Sequence, residues 1–275
     1  MRVDLAADTS EQKQNSLLAG LPADEWYQLS PDLQRVPLAE QVVLHVSGEA
    51  IGHAFFPLNG YVSVLLELSD GFKTEIAEVG NEGMLGLPLV MGEKNSSMTA
   101  VVQVSGEALR ISAAAFNAHI ARLPTLHRRL LGFAGKSASC SAQLAACNTR
   151  HTLEERLVRC LLGLSDRAQD SDLAITHEIL AGLLCVHRPT VSVALSRLQR
   201  LGLISQRNRR LVIADRPGLE QVSCECYAIM RDLRYSSKAQ MKIYPVLAPE
   251  TQSLGDPTLL HHSWSARIAK LMWRR

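Results

Sequence analysis

No cysteine precedes Cys140 in this chain of 275 residues, and no apolar run approaches the ~20 residues that a membrane-spanning helix requires. The opening stretch, Met1-Arg2-Val3-Asp4-Leu5-Ala6-Ala7-Asp8, lacks the uninterrupted apolar core of a secretory signal. These absences predict a soluble, cytoplasmic protein with no membrane partner, in which Cys140, Cys147, Cys160, Cys185, Cys224 and Cys226 are reduced thiols. Also missing are a nucleophile–base constellation, a phosphate-cradling loop and a metal-ligand motif, so no enzyme and no metal site is expected. The nine histidines show no ligand spacing, and the adjacent His261 and His262 suit a chelate poorly. Cys224 and Cys226 fall in a segment that reads as one helix over residues 217–234, where positions two apart point about 200° apart around the axis. A disulfide or shared metal within that pair needs the helix to unwind, so packing is its expected role, with redox chemistry the alternative.

A strong charge of one sign is lacking too, but the near balance of 29 Lys+Arg against 27 Asp+Glu hides an asymmetry. Residues 1–125 hold 7 basic and 15 acidic side chains; residues 126–275 hold 22 and 12. A basic half joined to an acidic one points to nucleic-acid binding on one side and another task on the other. Residues 176–216 alone carry 7 arginines and 2 acids, a surplus able to displace counterions from phosphate.

Within that stretch two short helices meet at a sharp turn. Thr176 is placed to cap the first, in which Ile179, Leu183 and Leu184 recur at helical spacing. Pro189 sits in the first turn of the second, where its missing N–H costs nothing, and Val191, Ala194, Leu195 and Leu198 form its buried stripe. The opposite face carries Arg188, Thr190, Ser192, Val193 and Arg197, preceded by His187. Such a face suits a major groove, where arginine pairs with guanine and small apolar groups touch thymine methyls. Residues 203–206 and 211–214 read as two strands joined by the basic turn Arg207-Asn208-Arg209-Arg210, which makes the unit a winged helix-turn-helix.

The acidic half is of another kind. After a helical opening at 24–33, partly alternating segments follow at 36–46, 54–56, 61–68, 72–79, 98–105 and 108–111. Turn signals such as Asn59-Gly60 and Asp70-Gly71 divide them, the pattern of a small antiparallel β-barrel or jelly roll. Between the halves residues 125–148 read as a helix about 36 Å long. Its seam of Leu126, Leu130, Phe133, Ser137, Cys140, Leu144 and Cys147 suggests pairing with a second copy. The fold class is therefore α+β: an N-terminal barrel, a long central dimerisation helix and a C-terminal winged helix-turn-helix. The expected divisions are 16–123, 124–148 and 149–235, followed by a basic extension at 236–275 whose end, 259–275, has the pattern of an amphipathic helix.

Specific strings give this order a family likeness. Phe55-Phe56-Pro57, Gly60-Tyr61-Val62-Ser63, Asp70-Gly71, Glu75 and Val79-Gly80-Asn81-Glu82-Gly83-Met84-Leu85-Gly86 in the barrel, then Asn148, His151, Glu154, Arg156, Leu157 and the helix-turn-helix, resemble transcription regulators of the Crp/Fnr type. The resemblance covers residues 16–235. It implies a homodimer on a two-fold-symmetric duplex operator, with RNA polymerase as a further partner and a cyclic-nucleotide-binding-like sensor domain. DNA contacts are then expected from Thr176, His187, Arg188, Pro189, Thr190, Ser192, Val193, Arg197, Arg207, Arg209 and Arg210.

Departures from the family pattern bear on the sensor. Members that bind cyclic nucleotides hold the ribose with a glutamate after a glycine and the phosphate with an arginine. Here Gly83 is followed by Met84, and the second position aligns on Ser96-Ser97. Methionine cannot accept the ribose hydrogen bond and serine cannot supply a guanidinium fork. Gly83, Met84, Leu85, Ser96 and Ser97 are thus the candidate pocket positions, with the usual cyclic AMP site expected to be absent. The family's N-terminal iron–sulfur cysteines are missing, and no cofactor is indicated. Pro189 and Val193 replace a glutamate and an arginine of the best-known members, and Cys185 stands at the common turn glycine. A small-ligand sensor acting through a protein partner is the alternative reading.

Overall fold

The computed structural model describes residues 9–207 and 210–235. Three short helices open it: α1 (Thr9–Gln14), α2 (Ser16–Ala19) and α3 (Ala23–Leu29), the last continued by a 3-10 turn to Asp32. Asn15, fully buried, accepts at Oδ1 from the Leu17 and Leu18 amides and donates from Nδ2 to the carbonyls of Pro57 and Gly83, both at 2.9 Å. One side chain thus caps α2 and ties it to the barrel.

The barrel consists of β1 (Gln34–Leu38), β2 (Val43–His45), β3 (His53–Pro57), β4 (Tyr61–Glu67), β5 (Lys73–Val79), β6 (Thr99–Val104) and β7 (Gly106–Ser112), with α4 (Leu87–Val90) before β6 and α5 (Ala113–Ile120) after β7. All pairings are antiparallel, in sheets ordered β1-β7-β3 and β2-β6-β4-β5. The predicted segment 36–46 is two strands in different sheets. The chain turns the corner at Gln41, whose φ is +65° and whose amide donates to Val102 O at 2.8 Å. The β4–β5 hairpin turns at Asp70-Gly71 as read from sequence, with Gly71 at φ +82° and Asp70 Oδ1 accepting from Phe72 N.

Helix α6 (Pro124–Arg150) spans 27 residues, or about 40 Å. No side chain of its own caps its start; buried Glu25 of α3 accepts from the Thr125 and Leu126 amides at 2.8 and 2.9 Å. A carboxylate there satisfies two orphan donors at the positive end of the helix dipole. Leu126, Leu130 and Phe133 then pack into the barrel core with Trp26, Phe56, Met84 and Phe116.

After α6, Thr152 and Glu155 form a reciprocal capping box that starts α7 (Leu153–Ala168). There follow β8 (Asp172–Leu173), α8 (His177–Leu184), α9 (Arg188–Arg200), β9 (Ile204–Arg207), β10 (Arg210–Ile213), α10 (Arg216–Val222) and α11 (Glu225–Tyr235). The wing is a three-stranded sheet, β8-β10-β9, because the two expected strands recruit β8. The single helix expected over 217–234 is broken: α10 ends at Ser223, whose ψ of 155° is extended. The break lets α10 pack on α7 while α11 turns onto α6. The predicted helix at 259–275 lies outside the described residues. Among the described residues no single helix is long and apolar enough to cross a membrane.

Candidate nucleic-acid interface and sensor site

Thr176 Oγ1 accepts from Ile179 N at 3.2 Å and opens α8; the axes of α8 and α9 then cross at 107°. That angle is the one a helix-turn-helix needs to lay its second helix along a groove. The buried face of α9 is the predicted stripe, with Val191, Ala194, Leu195 and Leu198 each at most 1% exposed. The turn between the helices runs through Cys185 in the left-handed region (φ +54°, ψ +49°), a conformation glycine adopts without a Cβ clash. Its Sγ lies 3.1 Å from Thr74 Oγ1 on β5.

His187, Arg188, Pro189, Thr190, Val193 and Arg197 are all exposed on or beside α9. Arg188 stands 3.8 Å from Glu178 and keeps a 63% exposed side chain. Arg197 is bonded to Glu154 of α7, and Arg210 is held by Asp172 at 2.7 Å. Arg207 is exposed at the end of β9; Arg209 lies outside the described residues. Ser192 is half-buried and bonds His177 Nδ1 at 2.8 Å, while His177 Nε2 meets Gln206 Nε2 at 2.9 Å. His177, unremarked in the sequence, therefore braces α8, α9 and the wing at once. Burial, with Arg188 nearby, lowers its pKa and favours the neutral ring. Its place directly after the capping Thr176 was the available signal.

The barrel-side candidates are largely engaged in the protein's own packing. Met84 is 1% exposed within the apolar core, and Leu85 pairs through its backbone with Phe55. A Cβ at Gly83 would meet the Phe133 ring at 2.3 Å, so only glycine fits beneath α6. Ser96 Oγ is closed on the Met98 carbonyl at 2.6 Å, and Ser97 is exposed.

What lies between β5, α7 and α11 instead is a charge cluster that sequence reading missed. Glu78, the β5 residue two before Gly80, accepts from Arg159 Nη1 and Arg167 Nη1 at 2.9 Å and from Arg234 Nη2 at 2.8 Å. Arg167 also donates from Nε to Glu82 at 2.8 Å and stands over the Tyr61 ring, 5.2 Å from its centroid. Burial alone would raise the Glu78 pKa, but the charges of Arg167, Arg234 and Arg159 outweigh it and hold the carboxyl well below the ordinary range. Neighbouring Glu75 receives hydrogen bonds from Tyr61 and Ser63, and burial, with the Glu78 charge second, pushes it up to about 7. These are long-range pairings between the barrel and α7 and α11. Spacing along the chain carries no sign of them.

The expected dimer seam also faces inward. Leu126, Leu130 and Phe133 lie against the barrel, while Ser137, Cys140 and Leu144 line a small cavity closed by Glu78, Arg167, Met230 and Arg234. The other side of α6 is left open: Leu131, Gly135, Ala138, Ala142, Ala145 and Thr149 are exposed and recur at four and three residues.

Residues 35–122 match the model of the cyclic nucleotide-binding domain, and residues 155–222 that of the Crp-like helix-turn-helix domain. The chain belongs to the Crp/Fnr family. Solved family structures are similar to it in fold. FixK2 of Bradyrhizobium japonicum shares 18% identity at a TM-score of 0.59, over 70% of this chain and 98% of that one. A family regulator from Eubacterium rectale shares 17% at 0.58, over 76% and 97%. One from Thermus thermophilus shares 23% at 0.57, over 68% and 95%. No curated protein matches the chain in sequence.

Proposed function

We propose that this Crp/Fnr protein is a sequence-specific transcriptional regulator that binds a two-fold-symmetric duplex operator as a homodimer and has no catalytic activity. The observation that carries the reading is the crossing of α8 and α9 at 107° with Arg188, Thr190 and Val193 exposed on α9 beside the wing. Residues 16–123 form the sensor domain, 124–148 the dimerisation segment and 149–235 the DNA-binding domain, with 236–275 as an extension. RNA polymerase is the further partner that the family reading implies. Dimerisation is assigned to the exposed stripe from Leu131 to Thr149, whose small residues let two α6 helices approach closely. The seam at Leu126, Leu130 and Leu144 is already buried in its own chain.

Cyclic AMP is not the effector in this reading. Neither Met84 nor Ser96 offers a ligand group, and the space beside α6 is taken by Glu78 and its arginines. Mutants separate recognition from anchoring. Arg188→Ala should lose discrimination at one base pair per half-site by about 1–3 kcal/mol, since a bidentate contact to guanine reads one position. Arg207→Ala should weaken all duplexes alike and flatten the salt dependence, as a wing contact to phosphate does. Equal loss of specific and random DNA by Arg188→Ala would contradict the assignment of the reading face.

A further inference from the structure

Four ligating side chains meet where α6 ends. Cys147 and His151 are four apart on α6 and its C-cap, so they share one face. Cys224 lies between α10 and α11 and Cys226 in the first turn of α11, so the pair is not held in one continuous helix with its 200° divergence. Cys147 Sγ and Cys224 Sγ are 3.7 Å apart, Cys226 Sγ and His151 Nδ1 3.5 Å, and all four ligand atoms lie within 4.8 Å of one another. A tetrahedral zinc with metal–sulfur bonds of about 2.3 Å and a metal–nitrogen bond of about 2.0–2.1 Å has S···S and S···N edges of roughly 3.8 and 3.6 Å. The 3.7 Å S···S and 3.5 Å S···N contacts match those edges.

The surroundings match as well. The three cysteines are at most 2% exposed, and none is in a disulfide. His151 Nε2, the nitrogen turned away from the sulfurs, is 3.3 Å from the Glu225 carboxylate, the outer partner that orients a metal-bound imidazole. Gln143 Nε2 donates to Cys226 Sγ at 3.0 Å, which a thiolate accepts. A disulfide between Cys147 and Cys224 would leave Cys226, His151 and Glu225 without a part in the arrangement. All four ligands fall outside the ranges that match family models, 35–122 and 155–222.

We propose that Cys147, His151, Cys224 and Cys226 bind a zinc-class divalent cation in a closed four-coordinate site that pins the end of α6 to the α10–α11 junction. The thiols give up their protons to solvent on binding, and no electron is transferred. With four protein ligands no position stays open for substrate, so the site is structural. Because α7 begins at Leu153, the ion fixes the angle at which the DNA-binding half leaves the long helix.

The test uses the full chain, purified under reducing conditions without chelator and with no histidine tag. Mass spectrometry of metal content should find one zinc per chain, and Co(II) exchange should give the intense visible bands of a tetrahedral thiolate site. In competition with a chromophoric chelator, Cys226→Ser and Glu225→Gln should each lower zinc affinity about 10–100-fold, the second without removing a ligand. Cys140→Ser, outside the cluster, should leave it unchanged. Failure of the reduced wild type to take up zinc would overturn the proposal, as would undiminished affinity in Cys226→Ser. A Cys147–Cys224 disulfide in protein that, once reduced, binds no metal would assign the cluster to redox chemistry instead.

Discussion

Replacing Glu78 by glutamine should cost this protein much of its stability. Glu78 is 3% exposed at its side chain and receives three guanidinium groups, each at 2.8 or 2.9 Å. Glutamine keeps the shape and one acceptor but removes the charge, leaving Arg159 and Arg234 without a carboxylate and Arg167 with Glu82 alone. Breaking a buried pair by deleting one partner costs about 3–5 kcal/mol, because the remaining charge stays desolvated. For a domain unit of this size that corresponds to a fall in Tm of roughly 6–20 °C. The loss falls on the joint between barrel and DNA-binding half, so limited proteolysis should cut between α6 and α7 sooner than in the wild type. Scanning calorimetry with proteolysis provides the assay. A Tm within about 2 °C of wild type would mean instead that water already compensates these charges and that the carboxylate is dispensable. The pH dependence follows from the same pairing. A carboxyl held below its unfolded pKa stabilises above that pKa, so the Glu78 contribution is complete at neutral pH and is lost as pH falls through the folded value.

Glu75 should behave in the opposite sense. Its folded pKa of about 7 lies above the unfolded 4.5, so wild-type stability falls between those values as the unfolded state releases the proton first. Glu75→Gln should remove that fall and be the more stable protein above pH 7, by on the order of 2–3 kcal/mol; parallel urea-denaturation profiles at pH 4.5 and 8 would contradict it. Cys185→Gly should stabilise by about 1 kcal/mol through relief of the left-handed conformation, read as a shift in urea midpoint; a loss would mean that the Sγ contact to Thr74 outweighs the strain. Leu131→Glu with Ala138→Glu should yield folded monomers in sedimentation, whereas Leu130→Glu should unfold the chain because that side chain is fully buried; an intact dimer in the first variant would remove the stripe from the interface.

Local chemistry was the legible part of this chain. Thr176 as a cap, Pro189 in a first turn and the stripe Val191, Ala194, Leu195 and Leu198 each depend on neighbours within four residues, and each stands where expected. The same holds for the Asp70-Gly71 turn. Misreadings arose where a distant segment decides. The apolar period of α6 was real, but it could not say whether a second copy or the barrel fills the facing volume; Trp26 and Phe56 do so. The segment 217–234 kept a helical pattern on both sides of Ser223, and packing of α10 on α7 and α11 on α6 sets the break. Cys147 and Cys224 are 77 positions apart, and Glu78 and Arg234 156, so neither cluster has a signature in spacing.

Selection of duplexes from a random pool by the wild-type protein decides whether it reads DNA sequence. The pool should become enriched in a two-fold-symmetric sequence whose half-sites lie about one helical turn apart, each containing a base pair at which Arg188→Ala loses preference. A pool that stays random after repeated rounds at physiological salt, while the protein remains folded and dimeric, would contradict it.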